Sequence, residues 1–257
     1  MGLMSLFGKG PLSPGKVDKI AKLAANPFAQ PDVRMKEMQR LLSDGSPLAL
    51  RGVLKRFAAN ASGHIADEDE KKWLEDQLVE VGDDALEPLA DYVRSEEQIT
   101  YALRAYRRIA GDEATVAFLL GVLNHYGPDD YRSSEAKVQV IGELAHDAAD
   151  PRVLPGLVPF LHDHSDEVRW AVLDLIEAAA REGRLPADLQ AASAQALGAM
   201  ILSDDNRPRI ERRAAELLCE HEWPVGGTGD TLPALLVDEF FIDKKRFVRR
   251  RAKKKTE

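Results

Sequence analysis

Cysteine is almost absent. Cys219 is the one thiol in 257 residues, so no intrachain disulfide forms. It reads as a buried thiol on a helix, because His221 points elsewhere on that helix and no other base is near. The six histidines are scattered. His221-Glu222 is the one His-Glu pair and His146-Asp147 a poor second, so no metal set and no cofactor are expected. Aromatics are only 6% of the chain, which points to helices packed through small residues. No apolar run approaches the roughly 20 residues of a spanning helix. The opening MGLMSLFGKGPLSPGK lacks a secretory core, and Leu6 stands where myristoylation requires Ser or Thr. A cytoplasmic location is therefore expected. GGTGD at 226–230 lacks the Gly-Lys-Ser/Thr ending of a phosphate loop.

Charge is divided unevenly. The chain holds 35 basic and 43 acidic residues. The segment KKRFVRRRAKKK at 244–255 carries nine of the bases: Lys244, Lys245, Arg246, Arg249, Arg250, Arg251, Lys253, Lys254 and Lys255. Without those nine bases and Glu257, residues 1–243 hold 26 bases and 42 acids, a formal −16.

The body repeats itself. HSDEVRWAVLDLIEAA at 164–179 opens with a Ser cap and two acids, then places Val168, Ala171, Val172, Leu175 and Ala179 on one helical face. RSSEAKVQVIGELA at 132–145 aligns with it at an offset of 32, so Lys137 matches Arg169. QPDVRMKEMQRLL, EEQITYALRAYRRI and NRPRIERRAAELL fit the same frame, with Val33-Arg34, Ile99 and Ile210 at its head. A second pattern alternates with the first: GDDALEPLADYV, GDEATVAFLLGVL and ADPRVLPGLVPFL each start on a small residue and Asp. Thirteen helices are predicted, near 15–25, 32–43, 47–60, 68–81, 84–94, 97–109, 113–125, 134–147, 151–161, 166–181, 187–202, 207–221 and 231–241. ASGHIADEDE at 61–70 reads as an inserted loop. No strand pattern is apparent.

The pairs ADPRVLPGLVPFLHDHSDEVRWAVLDLIEAA and GDDALEPLADYVRSEEQITYALRAYRRIAGD resemble HEAT repeats of the short bacterial, phycobilin-lyase type. The resemblance covers roughly 15–221. It implies an all-α fold, an α-solenoid of about six helix pairs over 15–243. The ends are expected to be a flexible 1–14 and, as a block of like charge, a basic, disordered 244–257. It also implies a non-enzymatic scaffold or adaptor for another protein. Arg34, Lys137 and Arg169 would then form a structural ladder with acids of the turns, such as Asp163 and Asp166.

In such a solenoid the second helices line the concave face. With Val168 and Leu175 inward, Trp170 faces out, and Met35, Tyr101, Val138 and Arg212 are its equivalents. Four of these five are large and apolar or aromatic, which suits a partner-binding stripe. HEAT-like alkylpurine DNA glycosylases and lyases acting on a tetrapyrrole are alternatives the resemblance brings in. The first needs a basic groove, and the −16 body repels phosphate. The tail has three readings: a solvated end, a weak contact with nucleic acid or anionic lipid, or a counter-charge folded back on the body.

Overall fold

The structure, a computed structural model, describes residues 11–203, 207–226, 229 and 231–252. It is mostly helical, with one two-stranded sheet among the described residues. No described helix is long and apolar enough to cross a membrane. The chain divides into two compact units, Met1–Ala117 and Phe118–Glu257. The division falls within helix α7 (Asp112–Tyr126).

The first unit contains α1 (Pro14–Ala24), α2 (Pro31–Asp44), α3 (Pro47–Ala58), α4 (His64–Val81), α5 (Leu86–Ser95) and α6 (Thr100–Ala110). Proline opens α1, α2 and α3, where its missing N–H costs no helical bond. Gly45 ends α2 at φ +67°, a left-handed stop that suits glycine. Helices α1, α3 and α5 pack successively on one another, as do α2, α4 and α6, and the two rows pack together.

The second unit repeats this order. It contains α8 (Ser134–Leu144), α9 (Val153–Leu157) with a 3-10 extension (Val158–His162), α10 (Asp166–Arg181), α11 (Ala187–Leu202) and α12 (Pro208–Glu220). Helix α10 packs on α8 and on α12, while α11 packs on the extension of α9 and on α12. The twelve helices fall where the periodicity places them, with ends shifted by a few residues.

The face of α10 is rotated from the expected one. Val168, Val172 and Ala179 are buried, but so are Arg169, Leu173, Ile176 and Glu177, whereas Ala171 and Leu175 are half-buried. Contact with α8, the extension of α9 and α12 buries an arc wider than one stripe and turns its centre toward Leu173 and Ile176. Cys219 is half-buried rather than enclosed.

The buried cations are paired. In the first unit Arg34 makes two bonds to Glu70, Nε to Oε2 at 2.9 Å and Nη2 to Oε1 at 2.6 Å. Arg56 reaches Glu70 at 3.0 Å and Asp67 at 2.5 Å, and Lys71 reaches Asp67 at 2.9 Å. All five side chains are buried. The expected loop at 61–70 is therefore corrected: α4 begins at His64, and the Asp-Glu run supplies interior partners. In the second unit Lys137 meets Asp163 at 2.5 Å, both fully enclosed, and also donates to the carbonyls of Asp130 and Gly127. Arg169 donates to the Asp163 carbonyl. Asp166, the other suggested ladder acid, is held by Arg207 instead.

The C-terminal region departs most from expectation. Neither a helix at 231–241 nor a disordered start to the tail is found. Strands β1 (Phe240–Ile242) and β2 (Val248–Arg250) form an antiparallel hairpin, with β2 packed on α12. Asp243 begins a three-residue loop: its N–H bonds the Phe247 carbonyl, and its carboxylate accepts the N–H groups of Lys245 and Phe247. Arg246 takes φ +71°, the left-handed residue that closes such a loop. Its guanidinium donates to the carbonyls of Val225, Gly226 and Gly229, which offsets the backbone cost. Phe240 and Val248 are buried beneath the charged residues that mask the strand pattern.

Removing Lys137 strands an ionised carboxylate in the interior. Lys137→Met should cost about 3–5 kcal/mol by urea unfolding, and adding Asp163→Asn should recover part of that loss. Burial pushes the Asp67 carboxyl up, but hydrogen bonds from Lys71, the Ala61 N–H and Arg56 outweigh it and bring it down to about 2. A depressed carboxylate stabilises the fold above its unfolded value of 3.8, and that contribution disappears as pH falls through the folded value. Stability should therefore drop between about pH 4 and pH 2, and Asp67→Asn should be less stable at pH 7 with a shallower slope in that window.

Candidate functional site

Helix α10 is fixed at its start by Ser165, whose hydroxyl accepts the Val168 N–H at 3.4 Å. Asp163 holds the turn before it, accepting the Ser165 N–H at 2.9 Å. With Arg169 pinned to the Asp163 carbonyl, the next residue, Trp170, is turned about 100° around the helix and emerges half-exposed. It faces a groove of about 390 Å³ lined by Val138 from α8, Ala171 and Trp170 from α10, and Arg209 and Ile210 from α12, with Asp166, Glu167 and Asp174 also present.

Two guanidiniums flank the indole, Arg209 at 5.5 Å and Arg213 at 5.7 Å from the ring centroid. Arg213 is tied below to the buried Glu177 and to Asp174 at 3.3 Å. Glu177 in turn holds Arg181. The Glu167 carboxyl lies below its ordinary range because its own backbone N–H and the Ser165 hydroxyl bond it. The result is an apolar floor with a fixed aromatic plane and charges of both signs around it. That suits a bulky side chain with polar neighbours.

Of the five stripe residues, the structure places Val138 and Trp170 in this one groove. Arg212 of α12 pairs with Glu239 and Glu216. Met35 and Tyr101 belong to the first unit and are half-buried. Tyr101 stacks on Phe57 at 5.6 Å, and Arg104 sits 5.6 Å from its centroid. Burial raises the Tyr101 phenol, with Glu68 adding to the shift.

The sequence reading missed Arg209, Ile210 and Arg213. Their signal was the four-residue spacing of Arg209 and Arg213, which brings both to one side of a helix. Among the described residues, no three or more His, Cys, Asp or Glu side chains converge as a metal site requires.

The tail bases divide. Arg249 pairs with Glu222 at 2.6 Å and Asp243 at 3.2 Å, and Arg250 lies 3.8 Å from Glu216 and 4.0 Å from Glu220. Arg251 donates to the Val237 carbonyl. Lys244 and Lys245 are exposed at the hairpin loop. Lys253, Lys254 and Lys255 lie outside the described residues.

Comparisons with protein families, with characterised proteins and with solved structures find no match for this chain. The geometry of the groove and of the hairpin carries the functional reading.

Arg213 ties the indole to buried Glu177. Arg213→Met should cost about 1.5–3 kcal/mol in urea unfolding, the range for a hydrogen bond to a charged group. It should also change Trp170 fluorescence, read against a Trp73→Phe/Trp223→Phe background.

Proposed function

We propose that this chain is a HEAT-like α-solenoid that works as a non-enzymatic, cytoplasmic adaptor and holds a partner protein at the groove around Trp170. The carrying observation is the half-exposed indole fixed between two arginines above an apolar floor. A large rigid ring, already ordered by its neighbours, loses little freedom on binding, and such rings dominate interface energetics. The alternating rows of helices within each unit support the repeat reading, because stacked pairs contact only their near neighbours. The acidic body favours partners with basic surfaces over nucleic acid.

The test uses full-length wild type and Trp170→Ala as baits in an extract of the source organism, with mass spectrometry as readout. Loss of a central aromatic anchor costs about 2 kcal/mol or more, so partners should be retained at least thirtyfold less well. Far-UV circular dichroism of the variant should be unchanged. A partner held equally by both baits would remove the groove from the adaptor reading.

A further inference from the structure

The hairpin presents a second surface that the groove does not use. Nine large apolar side chains are exposed among the described residues, and three of them fall within seven consecutive positions. These are Leu235 (53% exposed), Val237 (38%) and Phe241 (37%). They adjoin the most basic segment of the chain.

Contacts join the two features. Arg251 donates through Nε to the Val237 carbonyl at 2.7 Å, and its guanidinium lies 5.4 Å from the Phe241 centroid. Phe241 pairs with Arg249 across the strands, so Phe241, Arg249 and Arg251 share the hairpin face opposite buried Phe240 and Val248. Lys244 and Lys245 project from the loop immediately beyond.

We infer that this hairpin is a docking surface for an anionic lipid membrane. Exposed aliphatic and aromatic side chains beside Lys244, Lys245 and Arg251, with exposed Asp238 and Glu239 among them and Glu239 held by Arg212, match the apolar boundary and the negative headgroups of such a surface. Nucleic acid fits less well. Leu235 and Val237 offer nothing to phosphate or to base edges, and Arg249 and Arg250 are already occupied by carboxylates. Lys244 and Lys245, exposed point charges, suit a diffuse anionic plane.

Sedimentation of the full-length protein with vesicles tests this, using phosphatidylcholine alone and phosphatidylcholine with about 30% phosphatidylserine in roughly 0.1 M salt. The protein should sediment with the phosphatidylserine vesicles and remain in solution with the neutral ones. Lys244→Glu/Lys245→Glu should weaken sedimentation roughly thirtyfold or more. Leu235→Ser/Val237→Ser leaves the net charge unchanged and should weaken it about tenfold. Trp170→Ala should sediment as wild type, which separates this surface from the adaptor groove. Melting curves of the variants should match wild type, because every altered side chain in the patch is exposed. No sedimentation of the wild type would overturn the inference. So would an unchanged Leu235→Ser/Val237→Ser variant, which would reveal simple polyanion attraction. Tight binding of duplex DNA by that same variant would reassign the surface to nucleic acid.

Discussion

A cation buried at the start of a second-row helix cannot remain without a partner, and this requirement ties adjacent helices of that row together. Arg34 enters the interior on α2 and meets Glu70 on α4, the next helix of its row. Lys137 enters on α8 and meets Asp163, in the turn before α10, again the next helix of its row. Burying either charge alone costs several kcal/mol, whereas a full set of bonds makes the burial tolerable. Each pair therefore registers one helix against the next, beyond what apolar packing specifies. Alanine and leucine faces tolerate small rotations, but a two-point Arg–carboxylate fork does not.

The groove inherits that registration. Asp163 accepts from Lys137 and from the Ser165 N–H, and Ser165 caps α10. Its carbonyl also takes Arg169. Three constraints thus fix the rotation of α10 within its first turn, and Trp170 follows directly. The indole faces outward because the residue before it is pinned inward. The outward position of Trp170 is in this way tied to the buried position of Arg169 beside it.

Much of this was legible in the sequence. Helical period and caps placed α1 to α12, and alignment of the repeats singled out Arg34, Lys137 and Arg169, with Asp163 and Asp166 as suggested partners, of which Asp163 is the one that Lys137 and Arg169 meet. Three features were hidden for physical reasons. Acids at 67–70 look like solvent-facing residues, because a sequence shows charge but not the cation that neutralises it across the interior. The face of α10 was misplaced by about a residue, since a helix packed on three neighbours, α8, the extension of α9 and α12, buries a wide arc with no sharp centre. The hairpin was obscured because its alternating residues are Phe240, Ile242 and Val248 set among arginines and lysines. The turn-forming role of Asp243 emerges only once Phe247 is seen to pair with it. Arg209 and Arg213 were missed because they act on a ring in another helix, across a distance in sequence that periodicity does not bridge.

Helix α12 shows how one short element serves two surfaces. Arg209, Ile210 and Arg213 turn toward Trp170, while Glu216 and Glu220 turn toward Arg250 and Arg212 toward Glu239. Residues 212, 216 and 220 follow at intervals of four, and 209 and 213 share the same interval on the same solvent-facing side, nearer the helix start. The first set anchors the C-terminal arginines and neutralises acids that would otherwise repel one another at the end of the helix. Arg249 and Arg250 thus face acids of the body, Glu222, Glu216 and Glu220. What the tail leaves outward is a loop with two lysines and a small apolar face, while the first turns of α12 leave the indole groove open. The groove takes Arg209, Ile210 and Arg213 from this thirteen-residue helix, whereas the hairpin is held to it through Glu216 and Glu220, so the exposed hairpin side chains can be altered without touching the groove.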